Sequence, residues 1–371
     1  MSKNILIIGS ELDYHAALVA WAVKKKGGEV IYFDTSDYGM EHFLDRSTLA
    51  QCEIDSVPSF INGEISAVYN RRFYEVRMDR LRSTEDSKKF VHLEKNTFNR
   101  WMLQNFQDVA GCPWINGFDE NRAAENKINQ LRYARINGLI TPKTIVGDDP
   151  TIVLDFIASN VDGSIYKPLT GHLWISDGIP VLQTNTVEVN ASSLTEEAIS
   201  VCPGIYQEKV HKSADVRVVI VGDSVYALRY SPKDGAGGSI DYRVYLNNDM
   251  TVSTSVEVPQ EVQKGLCGLM RSLKISYASA DFAISDSGQW VFFELNPAGQ
   301  FAFVEWISKD LRIVDGLSSF LLYGDPLAGC RDDVRLVDFE ESEDFARMDM
   351  LSKKYSSSNV FVPDFAMTHT S

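Results

Sequence analysis

The stretch ASADFAISDSGQWVFFELNP, residues 278–297, decides how this chain is read. Two apolar runs flank Asp286-Ser287-Gly288, the pattern of a β-hairpin. With Ser287-Gly288 as a two-residue tight turn, Asp286 faces Gln289 and Asp281 faces Glu294. Residues i and i+2 of a strand point to one side, so Glu294 and Asn296 share a face and Asp281 joins them. VFF precedes Glu294 and FAI follows Asp281, which implies burial, and a buried acid requires a partner or a metal. Two carboxylates and an amide oxygen are hard ligands, suited to Mg²⁺ bridged to substrate phosphates. Acids that simply face water are the plain alternative, and the apolar neighbours disfavour it.

Working outward, the hairpin belongs to an antiparallel region that begins near residue 204. GIYQEKV leads into DVRVVIVGDSVYALRY (215–230), two alternating strands around Gly222-Asp223. Asp215 and Arg217 are two apart and share a strand face, as a surface ion pair or as part of a site. Gly-Ala-Gly-Gly (235–238) followed by Arg243 suits either a loop over phosphates or an ordinary surface loop. Pro259 opens a helix to about Leu273, and a last helix covers about Lys309 to Tyr323.

Upstream, GSIYKPL (163–169) is a strand carrying Lys167, placed to meet a phosphate or to reach water. Lys127 falls in a helix expected from about Glu120 to Ile136, where a solvated lysine is the simpler use. TPKTIV (141–146) is a strand, Asp149-Pro150 opens a helix to about Asn160, and HLWIS-DG-IPVLQTNTVEV reads as a hairpin. Tyr206-Gln207-Glu208-Lys209-Val210 joins the two halves, where a strand can offer backbone groups to a purine edge. The N-terminal segment reads as strand–helix–strand: ILIIG (5–9), a helix Tyr14 to Lys26 with Asp13 as N-cap, and EVIYFD (29–34). That order predicts a small parallel sheet. AVYNRRF (67–73) is a further strand, and residues 84–106 an amphipathic helix with Phe90, Leu93, Phe98, Trp101, Met102 and Phe106 on its apolar face. No GxGxxG follows the first strand, and there is no GxxxxGK[ST] or nucleophile elbow, which argues against a dinucleotide fold, a P-loop and a serine hydrolase.

The 371 residues carry 36 Lys and Arg against 51 Asp and Glu, a net charge of −15. This disfavours nucleic acid and anionic lipid as partners. Residues 325–349 hold nine acids and three bases, a net −6 in one short segment, expected to be solvated. Five scattered cysteines without a CxxC read as free thiols in a reducing compartment, and neither a signal peptide nor a membrane span is evident, so a cytoplasmic location is expected.

In chain order, Lys127, Lys167, Gln207-Glu208-Lys209, Asp215-Val216-Arg217, Arg243, Asp281 and Glu294-Leu295-Asn296 resemble the pattern of an ATP-grasp ligase. More narrowly, AVYNRRF, ENKINQLRYARINGLITPKTIV, YQEKVHKSADVRVVIVGDSVYAL, IDYRVY and FFELNPAGQF resemble the graspetide, or microviridin-type, peptide macrocyclases over about residues 1–325. The resemblance implies an α/β fold with a pre-ATP-grasp domain (1–115), a central subdomain (116–203) and a C-terminal ATP-grasp subdomain (204–325), leaving 326–371 as an acidic extension. It implies that Lys127 and Lys167 contact ATP phosphates and that Gln207, Glu208 and Lys209 lie at the adenine hinge. Asp215 would sit near the ribose or the reacting substrate, and Arg217 and Arg243 would stabilise the transferring phosphoryl group. Asp281, Glu294 and Asn296 would hold Mg²⁺, and Arg71 and Arg72 would lie on the substrate side. The substrate implied is a precursor peptide with a leader and an acidic core, and a homodimer is compatible with this. Phe301 departs from the tryptophan expected after NPAGQ. Two other uses are open: an intermolecular ligase adding an amino acid to a peptide or small molecule, and an inactive nucleotide- or peptide-binding module. The intact Asp281, Glu294 and Asn296 set speaks against the last.

Overall fold

The computed structural model describes residues 3–35, 65–75, 83–171, 173–176, 179–183, 186–232 and 251–356. The N-terminal unit runs β1 (Asn4–Ile8), α1 (Tyr14–Lys25), β2 (Glu29–Phe33), β3 (Ile65–Asn70), α2 (Glu85–Ala110) and β4 (Trp114–Ile115). Its sheet is parallel, in the order β2-β1-β3-β4. Asp13 caps α1, accepting from His15 N at 2.9 Å and Ala16 N at 3.0 Å. Gly27 leaves the helix with φ 83°. The apolar face expected of α2 holds only in its C-terminal half. Met102 and Phe106 are buried against β1 and β3, but Phe90 and Leu93 are each 64% exposed.

Two helices, α3 (Phe118–Ala124) and α4 (Lys127–Ile136), replace the single one expected from Glu120. Asn126 makes the break by capping α4, accepting from Ile128 N and Asn129 N, so Lys127 opens a helix rather than lying inside one. The central unit follows as β5 (Thr144–Gly147), α5 (Pro150–Ser159), β6 (Ser164–Lys167), β7 (Leu173–Ser176), β8 (Ile179–Gln183), β9 (Val187–Val189), α6 (Glu196–Val201) and β10 (Gly204–Glu208). Its antiparallel sheet, β5-β10-β6-β9, has its own small core of Val153, Ile157, Val189, Ile199 and Tyr206. β10 thus completes the central sheet, although the expected boundary puts residue 204 with the next unit.

The third sheet is built from β11 (Lys212–Val221), β12 (Ser224–Pro232), β13 (Thr251–Ser255), then, after α7 (Gln260–Leu273), β14 (Tyr277–Ser285) and β15 (Trp290–Asn296). Its order is β13-β12-β11-β14-β15, antiparallel throughout. One face buries Val216, Val218, Ile220, Ala280 and Phe282 with Leu131 of α4 and Leu266 and Leu269 of α7. From the other face, Val219, Val221 and Tyr277 join the core of α1.

The chain continues through α8 (Ala302–Ile307), α9 (Ile313–Tyr323), α10 (Leu336–Glu340) and α11 (Glu343–Ser356). The acidic extension keeps its acids exposed or half-buried, as its charge suggests, but its apolar residues anchor it to the fold. Val334 and Phe339 are fully buried in the same core as Trp21 and Leu317. The Phe339 ring meets those of Tyr14 and Phe345 edge-on, and Tyr14 Oη donates to Glu340 at 3.0 Å. Lys24 pairs with Asp344 at 3.0 Å, and the buried Lys26 with Asp315 at 2.5 Å. The buried Glu305 carboxylate accepts from Val314 N at 2.8 Å and Leu336 N at 3.0 Å, tying α10 to α9. Many of these acids have a structural partner, which composition does not reveal. Among the described residues no helix is long and apolar enough to cross a membrane, and the cysteines at 112, 202, 267 and 330 are free thiols.

Candidate active site

The register of the ligand hairpin is the one expected: Asp281 opposes Glu294 and Ser279 opposes Asn296. The route to it differs. The turn is a three-residue loop, Asp286-Ser287-Gly288, closed by Ser285 N donating to Gln289 O at 2.9 Å, with Gly288 at φ 82°. That loop alone shifts the register by one residue, and a bulge at Phe293 shifts it back. Trp290 and Phe292 face the core beneath α7, while Glu294 and Asn296 open on the opposite side. Without the bulge, both ligands would point into that core.

Arg217, Asp281 and Glu294 form one row across β11, β14 and β15. Arg217 Nη1 donates to Asp281 Oδ1 at 2.8 Å and Nη2 to Gln300 O at 3.2 Å, with the guanidinium 5.8 Å from the Phe303 ring centre. Two residues before it, Asp215 accepts from Lys212 Nζ at 2.6 Å. The bulge residue Phe293 lies between two cations, with Lys167 Nζ at 5.1 Å and Lys212 Nζ at 5.8 Å from its ring centre. Burial lowers the pKa of Lys167, Glu294 and Asp281 oppose the shift, and Lys127 and Lys212 add to it. Lys127 Nζ donates to Pro168 O at 3.3 Å, just beyond Lys167. The fold therefore brings Lys127, Lys167, Asp215, Arg217, Asp281 and Glu294 together, with Lys212 as an addition.

The hinge residues divide. Gln207 is buried and its Nε2 donates to Thr144 Oγ1 at 2.9 Å. Glu208 accepts from Lys143 N at 2.9 Å and Lys209 pairs with Glu188 at 2.7 Å, contacts that hold the C-terminal end of β10. Arg243 and Gly235–Gly238 lie outside the described residues.

Arg71 lies deeper than its place on the substrate side suggests. It is fully buried at the junction of the N-terminal and C-terminal units, with Nε 3.1 Å from Asp13 Oδ1 and Nη1 donating to Ala298 O at 2.5 Å. Its charge is therefore taken up inside the fold, by Asp13 and a main-chain carbonyl. Arg72 is half-buried, 6.0 Å from the Tyr74 ring centre. Burial would raise the Asp13 carboxyl, but the charges of Arg71, His15 and Arg72 outweigh it and hold the pKa at about 2. Burial and the neighbouring Arg71 push His15 down to about 3. Its Nε2 accepts from Phe301 N at 3.1 Å and Ala302 N at 3.2 Å. Gln130 of α4 bonds the edge of β15 as another strand would. Nε2 donates to Leu295 O at 2.6 Å, and Oε1 accepts from Leu295 N at 3.0 Å, between the two ligand positions. A glutamine in an amphipathic helix carries no sequence signal for this.

The donor set fits a hard cation. Among the described residues no group of three His, Cys, Asp or Glu side chains could hold a metal ion, and the candidate set Asp281, Glu294 and Asn296 is two carboxylates with an amide. Asn296 Oδ1 accepts from Ala298 N at 3.1 Å, which leaves a second lone pair for a metal. Mg²⁺ is satisfied by such a set because it keeps waters and phosphate oxygens in its shell.

No protein-family profile matches the chain, and no curated protein matches it significantly. Solved structures do. A Chryseobacterium gregarium RiPP-associated ATP-grasp ligase, in complex with ADP and a leader and core peptide, superposes with TM-score 0.70 at 23% identity, over 86% of this chain and 96% of that one. The macrocyclase MdnC from Microcystis aeruginosa MRC, bound with precursor peptide MdnA, gives 0.69 at 20% identity, over 86% and 99%. The ATP-grasp ligase PsnB, complexed with a phosphomimetic variant of its minimal precursor, Mg and ADP, gives 0.67 at 23% identity, over 86% and 98%. The row of Arg217, Asp281 and Glu294 thus stands on the ATP-grasp ligase fold, in the form that these RiPP-associated enzymes share.

Proposed function

We propose that this chain is an ATP-dependent ligase that cross-links side chains of a ribosomally made precursor peptide. The observation that carries the proposal is the Arg217–Asp281–Glu294 row, flanked by Lys167 and Lys212 on the Phe293 ring. Support comes from the fold, shared with ligases whose structures hold ADP and leader or precursor peptides.

In the first step a peptide Asp or Glu carboxylate attacks the γ-phosphorus of ATP, giving an acyl phosphate and ADP. In the second, a Ser or Thr hydroxyl or a Lys amine attacks the acyl carbon, loses its proton, and expels phosphate. The product is a macrolactone or macrolactam. Little covalent work falls to the protein, so charge neutralisation and alignment dominate. Lys127 and Lys167 bind the phosphates, and Gln207, Glu208 and Lys209 border the adenine. Arg217 and Arg243 stabilise the transferring phosphoryl group, with Asp215 beside the reacting substrate. Asp281, Glu294 and Asn296 would hold Mg²⁺, which would neutralise phosphate charge when bound. A leader contact and local bases such as Arg72 capture an acidic core that the net charge of −15 repels at long range.

The test uses the purified chain, ATP, Mg²⁺ and the peptide encoded beside its gene. One ADP is released and one water lost from the peptide mass for each ring. Glu294→Gln abolishes both while melting like the wild type, and Asp281→Asn abolishes both but melts lower, because it leaves the buried Arg217 guanidinium uncompensated. A mass gain of one residue in place of the water loss refutes cyclisation in favour of intermolecular ligation, and no ADP release refutes the ligase.

A further inference from the structure

The loop Pro297–Gln300 directly follows Asn296, and its carbonyls are held in an unusual way. Each of the four successive carbonyls accepts from a side chain of a different element. Asn116 Nδ2 donates to Pro297 O at 3.0 Å and Arg71 Nη1 to Ala298 O at 2.5 Å. Tyr277 Oη donates to Gly299 O at 2.5 Å and Arg217 Nη2 to Gln300 O at 3.2 Å. His15 then accepts the next two amides, Phe301 N and Ala302 N. Two of these anchors, Arg71 and His15, come from the N-terminal unit, and Asn116 directly follows its last strand.

We infer that Arg71 is a positioning residue for the metal-ligand end of β15, acting through Ala298. The path is short. Arg71 holds the carbonyl of Ala298, and the N–H of Ala298 holds Asn296 Oδ1 at 3.1 Å. Asn296 is exposed and needs that second contact to keep its oxygen aimed at a cation. Stability alone does not explain a buried Arg–Asp pair, since an apolar pair of similar volume does as well or better. A guanidinium, unlike an apolar side chain, donates along two fixed directions at once, here to Asp13 and to Ala298. Asp13 is in turn fixed as the cap of α1, so the metal-ligand loop is referenced to the N-terminal sheet and helix.

The inference rests on the ATP-grasp reading, and its test is independent of the peptide. Mn²⁺ serves as the probe, titrated in the presence of ADP and read as free Mn²⁺ by electron paramagnetic resonance. Arg71→Lys keeps a cation beside Asp13 but lacks the planar fork that reaches Ala298 as well. Its Mn²⁺ affinity falls about tenfold or more, the usual effect of losing an outer-shell partner, while ADP binding without metal and the melting temperature stay close to wild type. His15→Phe, which keeps the ring volume and loses the acceptor, shifts Mn²⁺ binding the same way and carries the test should Arg71→Lys melt early. Mn²⁺ affinity within about twofold of wild type in both folded variants overturns the inference alone. A wild-type chain that binds no Mn²⁺ with ADP overturns the nucleotide reading, and the inference with it.

Discussion

Gln130 offers the most direct test of how the ligand strand is held. Its side chain is 2% exposed and makes three hydrogen bonds to main-chain groups: Leu295 O and Ala124 O, each at 2.6 Å, and Leu295 N at 3.0 Å. Gln130→Met keeps length and flexibility but removes every donor and acceptor. Each lost bond costs about 1 kcal/mol net, and the three buried main-chain groups have no water to turn to. Extra apolar burial by the methionine returns about 1 kcal/mol. The net loss is about 2 kcal/mol, which lowers the melting temperature of a chain of this size by about 4 °C. The local effect matters more, because Leu295 lies between Glu294 and Asn296 and its released edge no longer fixes their spacing. The Mg²⁺ concentration needed for half-maximal ADP release therefore rises. Differential scanning calorimetry and an Mg²⁺ titration of the variant check both. Melting within about 1 °C of wild type, together with an unchanged Mg²⁺ requirement, refutes the account of Gln130 as a strand substitute.

Two further outcomes follow. Burial lowers the pKa of Lys167, so the ammonium is lost at a lower pH than from an ordinary lysine, and calorimetric ADP affinity declines correspondingly early on the alkaline side. The folded state sheds this proton before the unfolded one, so the Lys167 contribution to stability rises with pH through that window; Lys167→Arg moves the decline in affinity upward, and an unmoved profile refutes the assignment. Phe339 is fully buried, and Phe339→Ala costs about 3–5 kcal/mol in thermal melts if the acidic extension is part of the core. A loss of under about 1 kcal/mol would show the extension to be an ornament.

Much of the site is legible in the sequence because strand alternation is a rigid rule. It places Asp215 with Arg217 and Glu294 with Asn296, and the fold keeps both pairs. The partner of Asp281 is also foreseen, but through two departures that cancel. The loop has one residue more than the tight turn expected, and Phe293 adds one more. Neither leaves a mark in composition, since Asp-Ser-Gly suits either loop and a bulge needs no special residue. The burial of Arg71 has no mark in the sequence, because it depends on β3 ending beside the C-terminal loop that holds Ala298. Lys127 looks like a mid-helix lysine because the cap that restarts the helix is a single asparagine. The extension is hardest, because charge dominates its composition while Val334, Leu336 and Phe339 anchor it. Phe90 and Leu93 err the opposite way: apolar spacing expects them buried, but nothing described covers that half of α2.

The shared core around α1 also constrains the order in which the molecule can form. It joins residues 5–23 to residues 301–339, with side chains from between them such as Tyr69, Val219 and Tyr277. Helix α1 is apolar on nearly all sides, from Ala16 to Val23, so its own sheet can cover only part of it. During synthesis α1 emerges well before the side chains that complete its surroundings. The nascent N-terminal unit must therefore wait with apolar surface uncovered while the two other sheets are translated. A chain stalled before Phe339 is a natural target for chaperones and proteases, and synthesis past that residue lets the core close.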